Sequence, residues 1–513
     1  MVSTQITKKS LIIRFLSKVK LIIENNPVLW YSIFAVIGCL LLNLGIFKDY
    51  AFRDAHEYIW TANNSPVFKN EFVEGGRFLL GLICQFVYGN LSDSITDLKW
   101  IRLFSLITSV IFSTQIFSFL IKQKLKIYES AVFSFLILTI PSFTVYIGWT
   151  ATHEIPFILC LTFFAGVILQ KAIDKKENII LNYSIALLIV SICLCIYQPA
   201  VTAFLLPFVF SIILNKKIFL NKIIVLLIFL GIAFIIYYFI FKLSLIWYNL
   251  EPSKRSEIEF LKLPVNIIIF YLKEMRMLFY GNGILILPKL FFTFGVFSFF
   301  GFLFLIYQKR KIIPQFFLFV SFLILIFPLS YAPNLLSSTS YICSRTIAPA
   351  AIIVLFYQFL FFRKLCLKNK IFKLPTLILV LTSIIFSSIN QNIYIAKIQN
   401  KEYNSIKKAF NNIALDNRKK IIIIKPKEDF LQEFKFYKHI YADEFVQVSS
   451  SRIWVPEPMF KQILKERLDS LGLKKNYFFP NDIKVLDAKD AYKNENAIII
   501  NLIDILKDEF RKN

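Results

Sequence analysis

The chain has 513 residues, of which 57% are hydrophobic and 57 are Phe, and its formal net charge is +26. A water-soluble domain of that composition would expose large apolar patches, so the chain reads as an α-helical polytopic membrane protein. The charge would suggest nucleic acid in a soluble protein, but here much of it lies in short Lys-rich connections between apolar runs. That is the positive-inside pattern, and no nucleic-acid partner is expected.

The polar, basic start "MVSTQITKKSLIIRFLSKVK" leads into an apolar run at 28–47 that is long enough to span and lacks a small-residue cleavage site. The first helix is therefore read as a retained anchor behind a cytoplasmic segment 1–27. Further runs lie near 101–121, 129–147, 155–170, 179–197, 200–214, 223–244, 284–306, 312–330, 346–362 and 374–389, which makes about eleven transmembrane helices. The connections 122–126, 171–176, 215–222, 307–311 and 363–373 carry the Lys excess and are assigned, with the N-terminus, to the cytoplasm. Segments 48–100, 148–154, 197–199, 245–283, 331–345 and everything after about 390 fall on the other side. Nearly all carboxylates and His of the membrane half lie in this second set, and charged irregular backbone is tolerated near lipid only where it lines a cavity or is covered by protein. An extracytoplasmic working face is expected, with 48–100 as its main loop. The seven Cys show no CxxC or metal-ligand spacing and read as small core residues.

In the outer loop, "RDAHEYIW" as a helix would bring Asp54, Glu57 and Tyr58 to one face at i, i+3 and i+4. Two neighbouring carboxylates, partly desolvated, raise each other's pKa toward the range of a general base. His56 and Glu74 join them as candidate substrate ligands. The plainer alternative pairs Arg53 with Glu57 at i, i+4 and makes Asp54 a helix cap. "EGGRFLLGL" sets Arg77 before a short apolar stretch, 78–88, that could be re-entrant or interfacial; Arg77 would grip a phosphate or snorkel to lipid headgroups.

"WTATHEIPF" puts His153 and Glu154 at the outer end of a helix. They could shuttle a proton, bind a sugar hydroxyl or ligate a metal, and Glu154 could simply cap the helix. In "CIYQPAV", Tyr197 and Gln198 either hydrogen-bond a sugar or form a polar turn ended by Pro199. "YLKEMRMLFYGNG" adds Arg276 as a further phosphate-binding candidate, beside Lys273 and Glu274. Arg345 in "SRTIAPA" would be costly unpaired at lipid depth, so it should face a carboxylate such as Asp54 or an anionic lipid phosphate.

After 390 the chain loses Phe and gains mixed charge. "IQNKEYNSIKKAFNNIAL" has helical spacing, "RKKIIIIKP" is a buried-strand signature, and "NAIIINLIDIL" repeats the strand-and-helix pattern. Residues 390–513 are expected to form a small extracytoplasmic α/β domain, following a membrane domain over 28–389. No GxGxxG or Walker loop occurs in it, so a cap or acceptor-docking module is expected rather than a nucleotide site. A Ser nucleophile elbow, a Cys-His pair and HExxH are likewise missing from the sequence; His153 is the candidate that a membrane acyltransferase would need.

In order and sidedness, five of these features resemble the Gtr-type bacterial O-antigen glucosyltransferases, a branch of the GT-C membrane glycosyltransferases. They are the acidic patch after the first helix, "GGRFL", the outer "HE", "CIYQPAV" and "SRTIAPA". The likeness covers most of residues 28–389, and a helix-strand tail also fits it. One departure is that the family tends to show an Asp-Asp start with an Arg soon after, whereas here Arg53 holds the first Asp position and Glu57 the Arg position. Asp54 keeps the acidic site.

The resemblance implies a GT-C-like fold in a bacterial cytoplasmic (inner) membrane. It also implies transfer of a hexose, glucose by analogy, from a polyprenyl-phosphate donor to a cell-surface saccharide such as O-antigen of lipopolysaccharide. Asp54, with Glu57 in support, would be the base, and Arg77 or Arg345 would hold the departing phosphate. The implied partners are the lipid-linked donor, the saccharide acceptor, the bilayer and a flippase that supplies the donor; no cofactor is called for and nothing in the spacing supports a divalent metal. Two other readings stand beside it. A flippase or transporter of lipid-linked saccharides would line a path open to both sides, and a polysaccharide polymerase would more often place its large outer segment between helices.

Overall fold

The computed structural model describes residues 24–65, 67–175, 178–215, 220–280, 288–309, 313–338, 342–411, 420–437, 444–472, 483–487 and 497–511. Most of the expected N-terminal segment, and parts of the connections 215–222, 245–283, 307–311 and 331–345, lie outside them. The architecture is helical and membrane-like. Seven described helices are long and apolar enough to cross a membrane: Ile95–Lys122, Thr150–Asp174, Gln198–Asn215, Lys222–Tyr248, Lys289–Gln308, Ala348–Lys368 and Lys370–Asn411.

The expected straight span at 129–147 is instead two helices, Ile127–Ile137 and Pro141–Gly148, bent by 58°. Pro141 has no N–H to continue the ladder and forces Ile140 into extended backbone, so the first helix must end before it. Counted together they make an eighth span. The expected spans at 28–47, 179–197 and 312–330 are represented by shorter apolar helices, Pro27–Leu42, Ile179–Leu194 and Phe316–Ser330. The first of these stops where the Asn43 amide turns back to donate to the Cys39 carbonyl at 2.7 Å.

Helices Ile95–Lys122, Thr150–Asp174 and Gln198–Asn215 form the interior of the bundle, while Lys370–Asn411 leaves most of its apolar surface uncovered, as a lipid-facing helix does. The inner helices approach closely. A Cβ on Gly166 would overlap the backbone of Phe204, so only glycine lets these two backbones touch.

Arg102, on helix Leu98–Lys122, fastens the chain that leaves the first helix. It is buried, lies 4.0 Å over the Tyr50 ring, and donates to the carbonyls of Ile46, Lys48 and Tyr50 at 2.8, 2.7 and 2.8 Å. Three carbonyls that would otherwise be orphaned near lipid are thereby satisfied, and the loop beginning at Asp49 is fixed against the bundle.

The chain passes residue 390 without a break. Helix Lys373–Ile389 runs through a π-helical stretch, Asn390–Lys397, into Ile398–Asn411. Beyond it lies a three-stranded parallel sheet of order β2-β1-β3, with β1 Lys420–Lys425, β2 Ile483–Asp487 and β3 Ala497–Asn501. Ile421 to Ile424 are all buried, as a central strand covered on both faces requires. Helix Pro456–Ser470 lies between β1 and β2 in the chain, and Leu502–Arg511 buries Leu502, Leu506 and Phe510.

This C-terminal region packs onto loop 48–100 through segment 444–455. The Glu402 carboxylate accepts from the backbone N–H groups of Ser449 and Ser450, both at 2.7 Å, and the Ser449 hydroxyl donates to Gln399 at 2.6 Å. The same hydroxyl accepts the Arg53 backbone N–H at 2.8 Å, which pins the entrance of helix Asp54–Asn64.

Candidate active site

A cavity of about 320 Å³ lies at the helix ends opposite the Lys-rich connections. Asp54, Arg77, Glu154, Tyr197, Gln198 and Arg345 all line it, six candidates drawn from five separate stretches of sequence. Each is brought there by a local feature of its own segment.

Asp54 opens helix Asp54–Asn64, and its Oδ1 accepts the indole N–H of Trp454 at 3.0 Å. Its neighbour Arg53 has φ 47°, a conformation that costs a non-glycine residue free energy and persists only when its surroundings hold it. Arg53 is so held: besides the bond to Ser449, its guanidinium donates to Gln447 at 2.6 Å and lies 5.0 Å over Phe52 and 5.6 Å over Trp149. Burial pulls its pKa below the ordinary arginine value, and nearby Glu444 opposes that pull. Arg53 thus binds the C-terminal segment rather than pairing with Glu57.

Arg77 stands just before helix Phe78–Phe86, after Gly76 at φ 71°. The Gly76 carbonyl accepts from the Gln198 amide at 2.8 Å and the Tyr237 hydroxyl at 3.2 Å, so this turn is the fixed point of the arginine. The guanidinium lies 5.2 Å over the Tyr197 ring. Its Nε is buried and makes no hydrogen bond among the described residues, an orphaned donor in a cavity wall.

Arg345 faces a carboxylate, but the carboxylate is Glu444 from the C-terminal segment and not Asp54. Its Nε is 3.0 Å from Glu444 Oε1, its backbone N–H donates to Oε2 at 3.3 Å, and its guanidinium lies 4.5 Å over Trp149. Burial alone would lower its pKa; Glu444 holds it above the ordinary arginine value. Its carbonyl accepts from the Tyr146 hydroxyl at 2.5 Å. Glu154 is a buried lining residue, with Oε2 making no hydrogen bond among the described residues.

Five candidates do not line the cavity. Glu57 is the sharpest departure: the expected shared face delivers Asp54 and Tyr58 to the lining, while Glu57 stays outside it. Burial, then Glu71 and Asp54, push the Glu57 pKa up to about 7. His56 is buried beneath the helix, where burial pushes its pKa down to about 3, a neutral core histidine. His153 Nδ1 donates to the Thr150 carbonyl at 2.8 Å and lies 3.5 Å from Glu154, so it backs the wall. Glu74 contributes its backbone carbonyl, which accepts from Ser253 N–H and the Ser256 hydroxyl at 3.0 and 2.6 Å. Arg276 is exposed on the short helix Met275–Tyr280, away from the cavity.

Other lining groups carry no mark in the sequence. Glu71 is in the wall, its pKa raised by burial and by Glu74 and Asp54. Arg255 and Glu257 come from the loop after helix Leu220–Tyr248, which is tied across to Ser337 and Ser338 by hydrogen bonds. Phe234, Tyr237 and Phe241, spaced by three and four along that helix, supply an apolar side. Among the described residues no three His, Cys, Asp or Glu side chains gather as a metal site.

Chemically, the cavity joins a carboxylate held by one hydrogen bond, a guanidinium with no ion pair among the described residues, and an apolar flank. Such a set can take a proton, bind an anion and shelter a hydrocarbon chain. Compared with models of known protein families and with characterised proteins, the sequence matches none.

Proposed function

We propose that the chain is a GT-C-like membrane glycosyltransferase that moves a hexose from a polyprenyl-phosphate donor to a saccharide acceptor on the outer face of the cytoplasmic membrane. The observation that carries this reading is the meeting of Asp54, Arg77 and Arg345 in one cavity at the helix ends away from the Lys-rich connections. The Gtr-type resemblance supplies the substrate class. Under this reading the apolar helices comprise about eleven spans, the short ones included, and residues 390–513 form an extracytoplasmic domain that closes the site.

In the proposed reaction the acceptor hydroxyl oxygen attacks the anomeric carbon and Asp54 takes its proton. The bond from that carbon to the phosphate oxygen breaks, and the electron pair leaves with the lipid phosphate. Of the two arginines the resemblance assigns to the phosphate, Arg77 is the one available to that developing charge, because Arg345 is already engaged by Glu444 and serves to fix the wall. The isoprenoid chain would leave over Phe234 and Phe241. Glu57, outside the cavity, does not support the base; Glu71, Glu154 and Glu257 are the further lining carboxylates.

The test is transfer of label from polyprenyl-phosphate-glucose to O-antigen saccharides by the purified chain. Asp54→Asn should lower the rate at least about 100-fold, the lower range for loss of a general base. Arg77→Ala should fall similarly, with Arg77→Lys intermediate because a point charge replaces a forked donor. Absence of transfer from every polyprenyl-phosphate sugar, together with movement of lipid-linked saccharide across vesicles, would establish a flippase instead.

A further inference from the structure

A second and larger cavity, about 840 Å³, takes no part in the proposed reaction. It lies between helices Ile127–Ile137, Ala348–Lys368 and Lys373–Ile389, and its lower walls are apolar: Val132, Leu355, Phe359, Phe362, Leu377 and Val380. The mouth, at the Lys-rich end of the bundle, is rimmed by Lys126, Arg363, Lys370 and Lys373, with Glu129 as the one lining carboxylate. Glu129 is already taken. Its Oε1 is 2.8 Å from Arg363 Nε, and its Oε2 accepts the Lys126 backbone N–H at 3.3 Å. Among the described residues no carboxylate pairs with the ammonium groups of Lys126, Lys370 or Lys373, all three of which are exposed.

The positive-inside tendency explains cations on this side of the membrane, but not their gathering around the mouth of an apolar groove. We propose that the groove binds an anionic phospholipid of the leaflet on the Lys-rich side, with its phosphate among Lys126, Lys370 and Lys373 and an acyl chain along the Phe359 and Val380 walls. Three ammonium groups at headgroup level, none with a carboxylate partner among the described residues, favour an anionic over a zwitterionic head, and the apolar body selects an amphiphile over free phosphate. The site is independent of the transferase reading, whose donor phosphate belongs at Arg77, at the other end of the bundle.

The experiment uses the full chain, delipidated in mild detergent, supplied with phosphatidylglycerol or phosphatidylcholine and examined by native mass spectrometry. Phosphatidylglycerol should be retained at least about tenfold better than phosphatidylcholine, the equivalent of about 1.4 kcal/mol. The triple variant Lys126→Ala, Lys370→Ala, Lys373→Ala should lose that preference while its melting temperature stays unchanged, since all three side chains are exposed. Val380→Trp, which fills the groove and leaves the charges in place, should lower retention of both lipids. Equal retention of the two lipids by the wild type, or an unaltered preference in the triple variant, overturns the proposal. So does displacement of phosphatidylglycerol by millimolar inorganic phosphate, which would mean a bare anion site, or its preferential displacement by polyprenyl phosphate, which would make the groove the donor's.

Discussion

Gly76 is the residue on which the Arg77 side of the cavity turns. It has φ 71°, its carbonyl receives both Gln198 and Tyr237, and a Cβ there would overlap the Tyr237 hydroxyl. Gly76→Ala should therefore lose about 1 to 2 kcal/mol to the left-handed conformation alone, and more to the overlap. Thermal unfolding of the double variant Gly76→Ala, Tyr237→Phe should recover the second part and leave the first; no recovery would mean that the hydroxyl is not the obstacle. Arg102→Ala should cost about 3 kcal/mol or more, since three backbone carbonyls lose their donor at once. Glu57 gives a pH signature. Its folded pKa of about 7 lies above the ordinary carboxylate value, so the folded state binds the proton more tightly than the unfolded chain. Its charged form is a penalty that is absent below about pH 4 and grows as pH rises through about 7. Glu57→Gln should thus raise the melting temperature at pH 8 and leave it unchanged at pH 4; a shift of equal size at both values would show that burial does not hold this proton.

At the scale of elements, segment 444–455 lines none of the cavity but holds the residues around it in place. Glu444 pairs with Arg345, Gln447 and Ser449 hold Arg53 in its strained conformation, and Trp454 donates to Asp54. If Asp54 is the base, Trp454 is the residue that orients it. Trp454→Phe removes the N–H and keeps the ring, and one lost hydrogen bond to a carboxylate predicts a roughly tenfold lower transfer rate with little change in acceptor KM. Trp454→Phe behaving as wild type would remove Trp454 from the site. This explains which parts of the site the sequence could reveal. Hydropathy marks apolar helices because every residue of a span bears the signal, and the runs at 101–121, 200–214 and 223–244 lie within helices of the structure. Asp54, Arg77, Glu154 and Arg345 stand out because a charge beside a span is expensive and rare. Glu444 and Trp454 do not, because they lie 99 and 400 residues from their partners, in a polar segment where another Glu or Trp is ordinary. Glu57 misled for a related reason: sharing a helical face with Asp54 does not say where the cavity edge falls along that face. The bend at Pro141 was legible in principle, but the apolar run on both sides of it hid the break.

Across the whole molecule, function depends on sidedness, and sidedness rests on where the cations lie. Lys122, Lys124 and Lys126 follow one span, Lys370 and Lys373 flank the last, and both groups lie at the bundle end away from the 320 Å³ cavity. By the positive-inside tendency that end would be cytoplasmic, which would put Asp54, Arg77 and segment 444–455 outside. Outer-face transfer from a lipid-linked donor requires this orientation; a nucleotide-sugar reaction would require the reverse. The native thiols make the point easy to test, since of the seven Cys only Cys366 is not buried. In a Cys366→Ser background, Ile453→Cys presents a thiol beside Trp454, at a position 60% exposed, and Lys122→Cys presents one on the other side of the membrane. A membrane-impermeant maleimide added to intact cells should label Ile453→Cys and spare Lys122→Cys, and lysis should make both reactive. Labelling of Lys122→Cys alone before lysis would turn the molecule over. The cavity, and with it the proposed base at Asp54, would then face the cytoplasm, and transfer on the outer face would be excluded whatever the chemistry of the site.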